Sequence, residues 1–277
     1  MILNGKRILV TGGTGSMGRT FVHRVLSGAL GNAARADALA RQAATLRERF
    51  EEAFWCEDIG TYALALDGSK KPCRVVTSNA GQCLFTGIAS DEHARRVATT
   101  LLDKPSFSGW GIRTVATTEA RYNPMSYHNG SVWPHDNAII AAGFARYRMR
   151  SEAAKVLSAL FDASRSFDLH RPPELFCGFP RRAGETPTLY PVSCSPQMWS
   201  SGAVFMLLTA CLGLDIDGTN RTLSFASPLL PDAVSDMEIE GLRVGDAKVH
   251  LAFTRHGDDV GVNVLHREGD CSVIVQK

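Results

Sequence analysis

With 277 residues, of which 44% are hydrophobic and 21% charged, the chain has the composition of a globular protein long enough to bury one or two cores. Its net charge of +2 and its scattered basic residues exclude a polyanionic partner, so we expect no nucleic acid binding. Seven cysteines without a C-x-x-C pair predict no metal site, and their odd number without a signal sequence favours reduced thiols in the cytoplasm.

The first 27 residues predict a strand, a glycine-rich loop and a short helix. In the loop, Gly12, Gly15 and Gly18 form a G-x-x-G-x-x-G pattern, which lets backbone N–H groups approach a pyrophosphate at a helix N-terminus. This head resembles the first βα unit of extended short-chain dehydrogenases, especially sugar-nucleotide dehydratases of polysaccharide biosynthesis. The resemblance implies a Rossmann-type NAD site on the three glycines.

The rest of a dinucleotide-binding fold does not follow this head. Such a fold needs a second strand ending in an acidic residue about 20 positions onward, whereas this chain enters an amphipathic helix. The Tyr-x-x-x-Lys pair of those enzymes is also missing, since no tyrosine has a lysine four residues later. We therefore expect no cofactor. The head is then a relic of a gene fusion or the product of a misplaced start, and its glycines serve only a turn. An NAD-dependent sugar-nucleotide dehydratase or epimerase is the alternative.

The middle of the chain predicts helices, and its last part predicts strands. Helices are predicted over residues 33–55, 80–88, 91–102, 135–149, 152–165 and 196–212. The last of these is apolar almost all round, so we expect it to be deeply buried, although its apolar run is too short to span a membrane. Alternation of Val249, Leu251 and Phe253 with polar neighbours then predicts a small antiparallel sheet at the end of the chain.

A loop ahead of the helix at 135 mixes aromatic rings with polar side chains. Its candidate substrate-binding and acidic residues are Tyr122, Tyr127, His128, Asn129, Trp133, His135 and Asp136. A sugar presents apolar C–H faces ringed by hydroxyls, so a glycan pocket needs aromatic platforms beside polar groups. The other interpretation is that Trp133-Pro134 begins the helix and that Asp136 and Asn137 cap its backbone N–H groups.

The chain from about residue 34 to its end resembles bacterial amylo-α-1,6-glucosidases, a glycogen-debranching-like group related to mannosylglycerate hydrolases. The resemblance is carried by the segments at residues 110–115, 120–137, 173–180 and 190–199. Of the Tyr-Trp-Arg-Gly-Pro-x-Trp signature, Tyr127, Gly130 and Trp133 are present, while His128 and Asn129 replace Trp and Arg. The resemblance implies a six-hairpin glycoside hydrolase of α-glucan metabolism that acts on an oligosaccharide or polysaccharide.

Hydrolysis of a glycosidic bond takes two carboxyl groups, an acid and a base or nucleophile. The resemblance implies Glu174 as the base, and the other interpretation is an exposed carboxylate paired with Arg171 or Arg181. The related enzymes take their acid from a Trp-Lys-Asp-Ser-like segment, which this sequence lacks. Asp136 is the alternative carboxylate. We therefore expect an incomplete and inactive hydrolase, and a non-catalytic glycan-binding piece is the competing hypothesis.

The predicted fold is mainly α. A six-hairpin toroid has twelve helices by resemblance, whereas this chain supplies about six, so we expect half of an (α/α)6 toroid. In this prediction residues 1–30 form a truncated βα unit, residues 31–213 the half toroid and residues 214–277 the antiparallel sheet. An open half barrel leaves apolar surface uncovered, so we also expect self-association or low stability.

Overall fold

A computed structural model describes residues 33–277 of the chain. This part contains six α-helices: α1 Ala33–Phe54, α2 Asn79–Thr86, α3 Asp91–Leu102, α4 Pro134–Arg146, α5 Arg150–Ser164 and α6 Met198–Leu212. They lie where the sequence predicts helices, to within a few residues at each end. The predicted βα unit, with Gly12, Gly15 and Gly18, falls outside the described residues.

The described residues also contain ten strands, which form four small sheets. The strands are β1 Trp55–Cys56, β2 Thr61–Tyr62, β3 Ala65–Leu66, β4 Pro72–Cys73, β5 Leu214–Asp217, β6 Thr222–Ala226, β7 Asp236–Val244, β8 Ala247–His256, β9 Asp259–Glu268 and β10 Ser272–Gln276. Strands β1 and β2 pair, as do β3 and β4. Strands β7, β8 and β9 form an antiparallel sheet, while β6 lies between antiparallel β5 and parallel β10.

The prediction of a mainly α fold is therefore wrong, because the described chain is a mixed α and β structure. The C-terminal part forms two three-stranded sheets instead of one, and β10 runs parallel to β6 instead of joining an antiparallel sheet. The sequence does not predict β6, because the strand has only five residues and so short an alternation is a weak signal. The alternation is present in the structure, where Leu223 and Phe225 are buried. The half toroid and the unit boundaries stay predictions.

Helix α4 lies at the centre of the helical core and packs against α2, α5 and α6. Its side chains Ile140 and Phe144 are fully buried. The approach of α2 to α4 depends on Gly143, because a Cβ atom there would lie 2.7 Å from the backbone nitrogen of Phe85. This packing fixes the N-terminal end of α4, where the polar and aromatic loop arrives.

Helix α6 is not buried all round, which corrects the prediction for residues 196–212. One face, with Ala203, Leu207 and Ala210, packs into the helical core. On the other face Met198 is 86% exposed and Phe205 is 73% exposed. The apolar composition of the helix predicted burial, but no element within residues 33–277 covers this second face.

A second core lies between the two C-terminal sheets, and Arg150 joins it to the helices. Its side chains include Leu223, Phe225, Leu251 and Phe253, each with no exposed surface. Arg150, at the start of α5, donates to three backbone carbonyls from different elements. They are those of Ala145 at 2.6 Å, Ala210 at 3.3 Å and Ala226 at 3.1 Å. No helix of the described region is long and apolar enough to cross a membrane.

Glu51 attaches the long helix α1 to the rest of the helical core. Its carboxylate accepts hydrogen bonds from the Tyr62 hydroxyl at 2.8 Å and from the Ser90 backbone nitrogen at 2.5 Å. Its second oxygen lies 2.6 Å from Nδ1 of His93, whose ring stacks on Trp55 at 3.6 Å. The Glu51 side chain is only 20% exposed, so this network is largely shielded from water.

We predict that Glu51→Ala lowers the free energy of unfolding by about 2–4 kcal/mol, because it leaves buried donors without an acceptor. The neighbouring Glu52 is exposed, and Glu52→Ala serves as the control, with an expected change within roughly 0.5 kcal/mol. Urea unfolding of both variants measures the difference. Equal stability of the two variants would contradict the role given to Glu51.

Candidate functional site

Segments that are distant in sequence pair ahead of helix α4. Val132 exchanges two backbone hydrogen bonds with Phe176, at 2.9 and 3.0 Å, and it also bridges to Arg113. Phe176 continues the ladder to Leu189. One irregular, sheet-like ladder at the N-terminal end of α4 therefore joins the motif segments 110–115, 120–137 and 173–180. It also includes Leu189, the residue directly before the fourth motif segment.

The side chain of Asn137 fixes this ladder to the helix. Its Oδ1 accepts from the Ile112 backbone nitrogen at 2.7 Å, and its Nδ2 donates to the carbonyls of Ile112 and Trp133 at 3.0 Å. Helix α4 does begin directly after Trp133, with Pro134 in its first turn. However, the proposed capping by Asp136 and Asn137 is wrong, because Asn137 reaches Ile112 and Asp136 reaches Gln82.

The back of the ladder is closed by Arg113, Tyr122 and two glycines. The buried Arg113 donates to the Gly178 carbonyl at 2.6 Å, and the Tyr122 hydroxyl donates to the same oxygen at 3.2 Å. A Cβ atom at Gly178 would lie 1.7 Å from the Gly130 carbonyl oxygen, so this contact requires glycine. Tyr122, a candidate sugar-binding residue, is thus held against Gly178 and is not among the residues that line the cleft described next.

A cleft of about 550 Å³ opens on the front of the ladder, beside the start of α2 and of α4. Six candidate residues line it: Tyr127, His128, Asn129, Trp133, His135 and Asp136. They are joined by Trp199 of α6 and by Thr77, Ser78 and Asn79 at the start of α2. Sequence reasoning missed the α2 residues, because a short Thr-Ser-Asn run before a helix is an ordinary N-terminal pattern.

The walls of the cleft are aromatic rings in fixed orientations. Tyr127 meets Trp133 edge to face at 4.9 Å, and His128 lies parallel to Trp133 at 6.1 Å. His135 stacks on Trp199 at 4.3 Å. The Trp133 indole N–H donates to the Ser131 hydroxyl at 2.9 Å, which fixes its ring. Flat rings beside polar groups suit the C–H faces and hydroxyls of a pyranose.

Glu174 is not among the residues that line the cleft, but it contacts the cleft residue Tyr127 and is 8% exposed. Its Oε1 accepts from the Tyr127 hydroxyl at 2.7 Å, and its Oε2 accepts from the Cys194 backbone nitrogen at 3.3 Å. The hydrogen bond to Glu174 raises the pKa of Tyr127, so the phenol keeps its proton and remains a donor. Two donors therefore orient a buried carboxylate beside the ring wall.

The other interpretation of Glu174, an exposed carboxylate paired with an arginine, is wrong. Arg171 lies 3.9 Å from Asp168, and Arg181 forms its ion pair with Asp162 at 2.7 Å. Within residues 33–277, no group of three or more His, Cys, Asp or Glu side chains is arranged to hold a metal ion.

Asp136 and His135 form the other titratable pair in the cleft. Gln82 donates to Oδ1 of Asp136 at 2.5 Å. Burial raises the pKa of the Asp136 carboxyl, although hydrogen bonds from Ser78 and Gln82 and the nearby His135 act in the opposite direction. Burial also lowers the pKa of His135, against the attraction of Asp136 and Glu174. Both shifts favour the uncharged forms of the two side chains.

A family model for the mannosylglycerate hydrolase MGH1-like glycoside hydrolase domain matches residues 24–170, which is more than half of the chain. The chain belongs to this family. The match to the MGH1-like family includes the cleft residues from Thr77 to Asp136 and ends before Glu174. These comparisons give no support to the dehydrogenase resemblance of the first 28 residues, which stays a prediction.

Solved structures share the fold of the MGH1-like chain. A sialidase has a TM-score of 0.67 at 14% identity, over 89% of this chain and 25% of its own. The rhamnosidase of family GH78 from Bacillus sp. GL1 has a TM-score of 0.62 at 16% identity, over 91% and 24%. The GH63 mannosylglycerate hydrolase from Thermus thermophilus, in complex with glucose, has a TM-score of 0.51 at 18% identity, over 72% and 45%.

The MGH1-like chain thus spans less than half the length of each of these structures. At such low identity the similarity shows a shared fold and leaves substrate and activity open. A comparison with curated protein sequences finds no match.

We predict that Asp136→Asn gains stability relative to the native chain as the pH rises from 4 to 8. A raised folded-state pKa means that the protonated carboxyl stabilises the fold below the unfolded value of about 3.9, and this contribution is lost as the pH rises through the folded value. The asparagine cannot titrate. Thermal melting of both proteins across this range measures the trend, and a pH-independent difference would contradict it.

Proposed function

We propose that this MGH1-like chain is a glycoside hydrolase-type protein of α-glucan metabolism, similar to amylo-α-1,6-glucosidases. The observation that carries the proposal is an aromatic cleft whose lining residue Tyr127 donates a hydrogen bond to the buried carboxylate of Glu174. Stacked and edge-on rings supply the platform for a glucose ring, and the polar residues between them supply hydrogen-bonding groups. The Thermus thermophilus hydrolase was solved in complex with glucose, which supports a hexose ligand for this chain as well.

In this proposal Glu174 occupies the position of the general base. An inverting hydrolase uses such a carboxylate to take a proton from the water that attacks the anomeric carbon, while an acid protonates the departing oxygen. The orientation imposed by Tyr127 and Cys194 suits a group that must accept a proton at one place. The segment that carries the acid in related enzymes is missing from this sequence. We therefore propose that the chain binds α-glucans without cleaving them efficiently. The proposed location is the cytoplasm.

We predict that isomaltose binds the cleft but that the native chain releases no more glucose from a branched α-glucan than Glu174→Gln does. Quenching of tryptophan fluorescence measures binding, since Trp133 and Trp199 line the cleft, and a glucose assay measures cleavage. The control is Glu185→Gln, which removes an exposed carboxylate. Glucose release that only Glu174→Gln abolishes would show that an acid is present, with Asp136 the first candidate. Binding of cellobiose but not isomaltose would contradict the α-glucan proposal.

We also propose that the chain self-associates through the outer face of α6, with Met198, Val204 and Phe205 at the contact. The first and last of these are among the most exposed apolar side chains of the described region. Phe205→Glu should convert an oligomer to a monomer in light scattering after gel filtration, because an ionised carboxylate cannot be buried there without a partner. Leu265→Glu, at an exposed apolar position on β9, is the control. The native chain is measured at about 100 µM, which is roughly 1000-fold above a Kd of 100 nM. If it is a monomer at this concentration, self-association is contradicted.

A further inference from the structure

A second cavity, a groove of about 470 Å³, lies where the helical core meets the C-terminal sheets. It is lined by α5, by residues around Gly109, by Arg181 and by the linker from Leu229 to Asp232 between β6 and β7. The groove shares no lining residue with the cleft beside the starts of α2 and α4. This junction groove is therefore a separate candidate site, at a boundary between packed units where ligand pockets often form.

Part of the junction groove is apolar. The lining includes the ring of Phe107 and the side chains of Ala154, Ala159, Leu229 and Leu230. Leu229 packs against the helical core, whereas Leu230 is buried in the core between the C-terminal sheets. An aliphatic or aromatic group of a ligand can therefore lose contact with water against side chains from both cores at once.

Two of the four charged side chains in the junction groove neutralise each other. Arg181 and Asp162 form an ion pair at 2.7 Å. The guanidinium carbon of Arg181 also lies 4.3 Å from the centre of the Trp110 ring, so two contacts hold this arginine in place. A ligand in the groove therefore meets no net charge at this pair.

The other two charges, on Lys155 and Asp232, are not paired. The ammonium of Lys155 lies 5.0 Å from the centre of the Phe107 ring and donates to the Leu102 carbonyl at 3.4 Å. Among the described residues, neither Lys155 nor Asp232 has an oppositely charged side chain within 4.0 Å, so they do not pair with each other either. The junction groove thus presents one cation and one anion, on different segments and more than 4.0 Å apart.

We propose that the junction groove binds a small zwitterion with an apolar body, of the class of an aliphatic or aromatic α-amino acid. The carboxylate of the ligand pairs with Lys155, its ammonium group pairs with Asp232, and its side chain contacts Phe107 and the two leucines. A ligand with only one charge is attracted by one of these two groups and repelled by the other. This inference does not depend on the proposed function, because the groove and the cleft have separate linings.

Leucine and two analogues with a single charge test this assignment. L-leucine, N-acetyl-L-leucine and L-leucinamide are titrated against the full chain at pH 7 by isothermal titration calorimetry. We expect L-leucine to bind saturably with a Kd below about 10 mM. We expect each analogue to bind at least about fivefold more weakly, because each has lost one charged hydrogen-bonding partner.

Variants that remove one charge show which residue recognises which end of the ligand. Lys155→Met should abolish the preference for leucine over leucinamide and keep the preference over N-acetylleucine, and Asp232→Asn should do the reverse. A variant that only disturbed the fold would weaken all three probes alike. The matched controls are Lys71→Met and Asp258→Asn, at exposed positions outside the groove, and both should bind leucine as the native chain does.

The outcomes separate this inference from the proposed function. It is overturned if leucine shows no saturable binding up to about 50 mM, or if either single-charge analogue binds the native chain as tightly as leucine. It is also overturned if Lys155→Met and Asp232→Asn keep every preference of the native chain. Isomaltose binding to the cleft should be equal in Lys155→Met and the native chain, so either proposal can fail while the other stands.

Discussion

The buried amide of Asn137 is the interaction on which the geometry of the cleft depends. It satisfies both backbone groups of Ile112 and also bonds the carbonyl of Trp133, directly before its own helix, so one side chain links the loop around residue 112 to the start of α4. Val132 and Phe176 pair through their backbones close to this link. Because Glu174 lies two residues before Phe176 in the chain, this pairing also sets the position of Glu174. A rigid helix thereby orients cleft side chains of the loop from Tyr127 to Trp133 as well as its own His135 and Asp136, as precise binding sites require.

The parts of the fold that the sequence predicts are those encoded by neighbouring residues. All six described helices and the pairing of β8 with β9 follow from periodic patterns within short stretches. The parallel pairing of β10 with β6 joins residues about fifty positions apart, which no local pattern records. The prediction that α6 is buried all round is wrong for a related reason. Its apolar composition indicates that the helix can be buried, but it does not indicate which element covers each face.

The same distinction holds for the cleft. The residues from Tyr127 to Asp136 form one continuous motif, and six of them line the cleft together. The contact of Tyr127 with Glu174 spans 47 residues, and that of Gln82 with Asp136 spans 54. Only the resemblance to a family indicates Glu174, and no pattern in the sequence indicates Thr77 or Gln82. Their importance arises from where α2 packs, which is a property of the tertiary fold.

The way Arg150 joins the two cores has a consequence for how the chain can vary. Each of its three acceptors is a backbone carbonyl, and every residue type carries that group. The hydrogen bonds of Arg150 therefore do not depend on the type of side chain at positions 145, 210 and 226, as long as each side chain fits the space. Substitutions at those positions are limited by space, since Ala145 and Ala210 are buried, whereas replacing the single guanidinium removes all three hydrogen bonds at once.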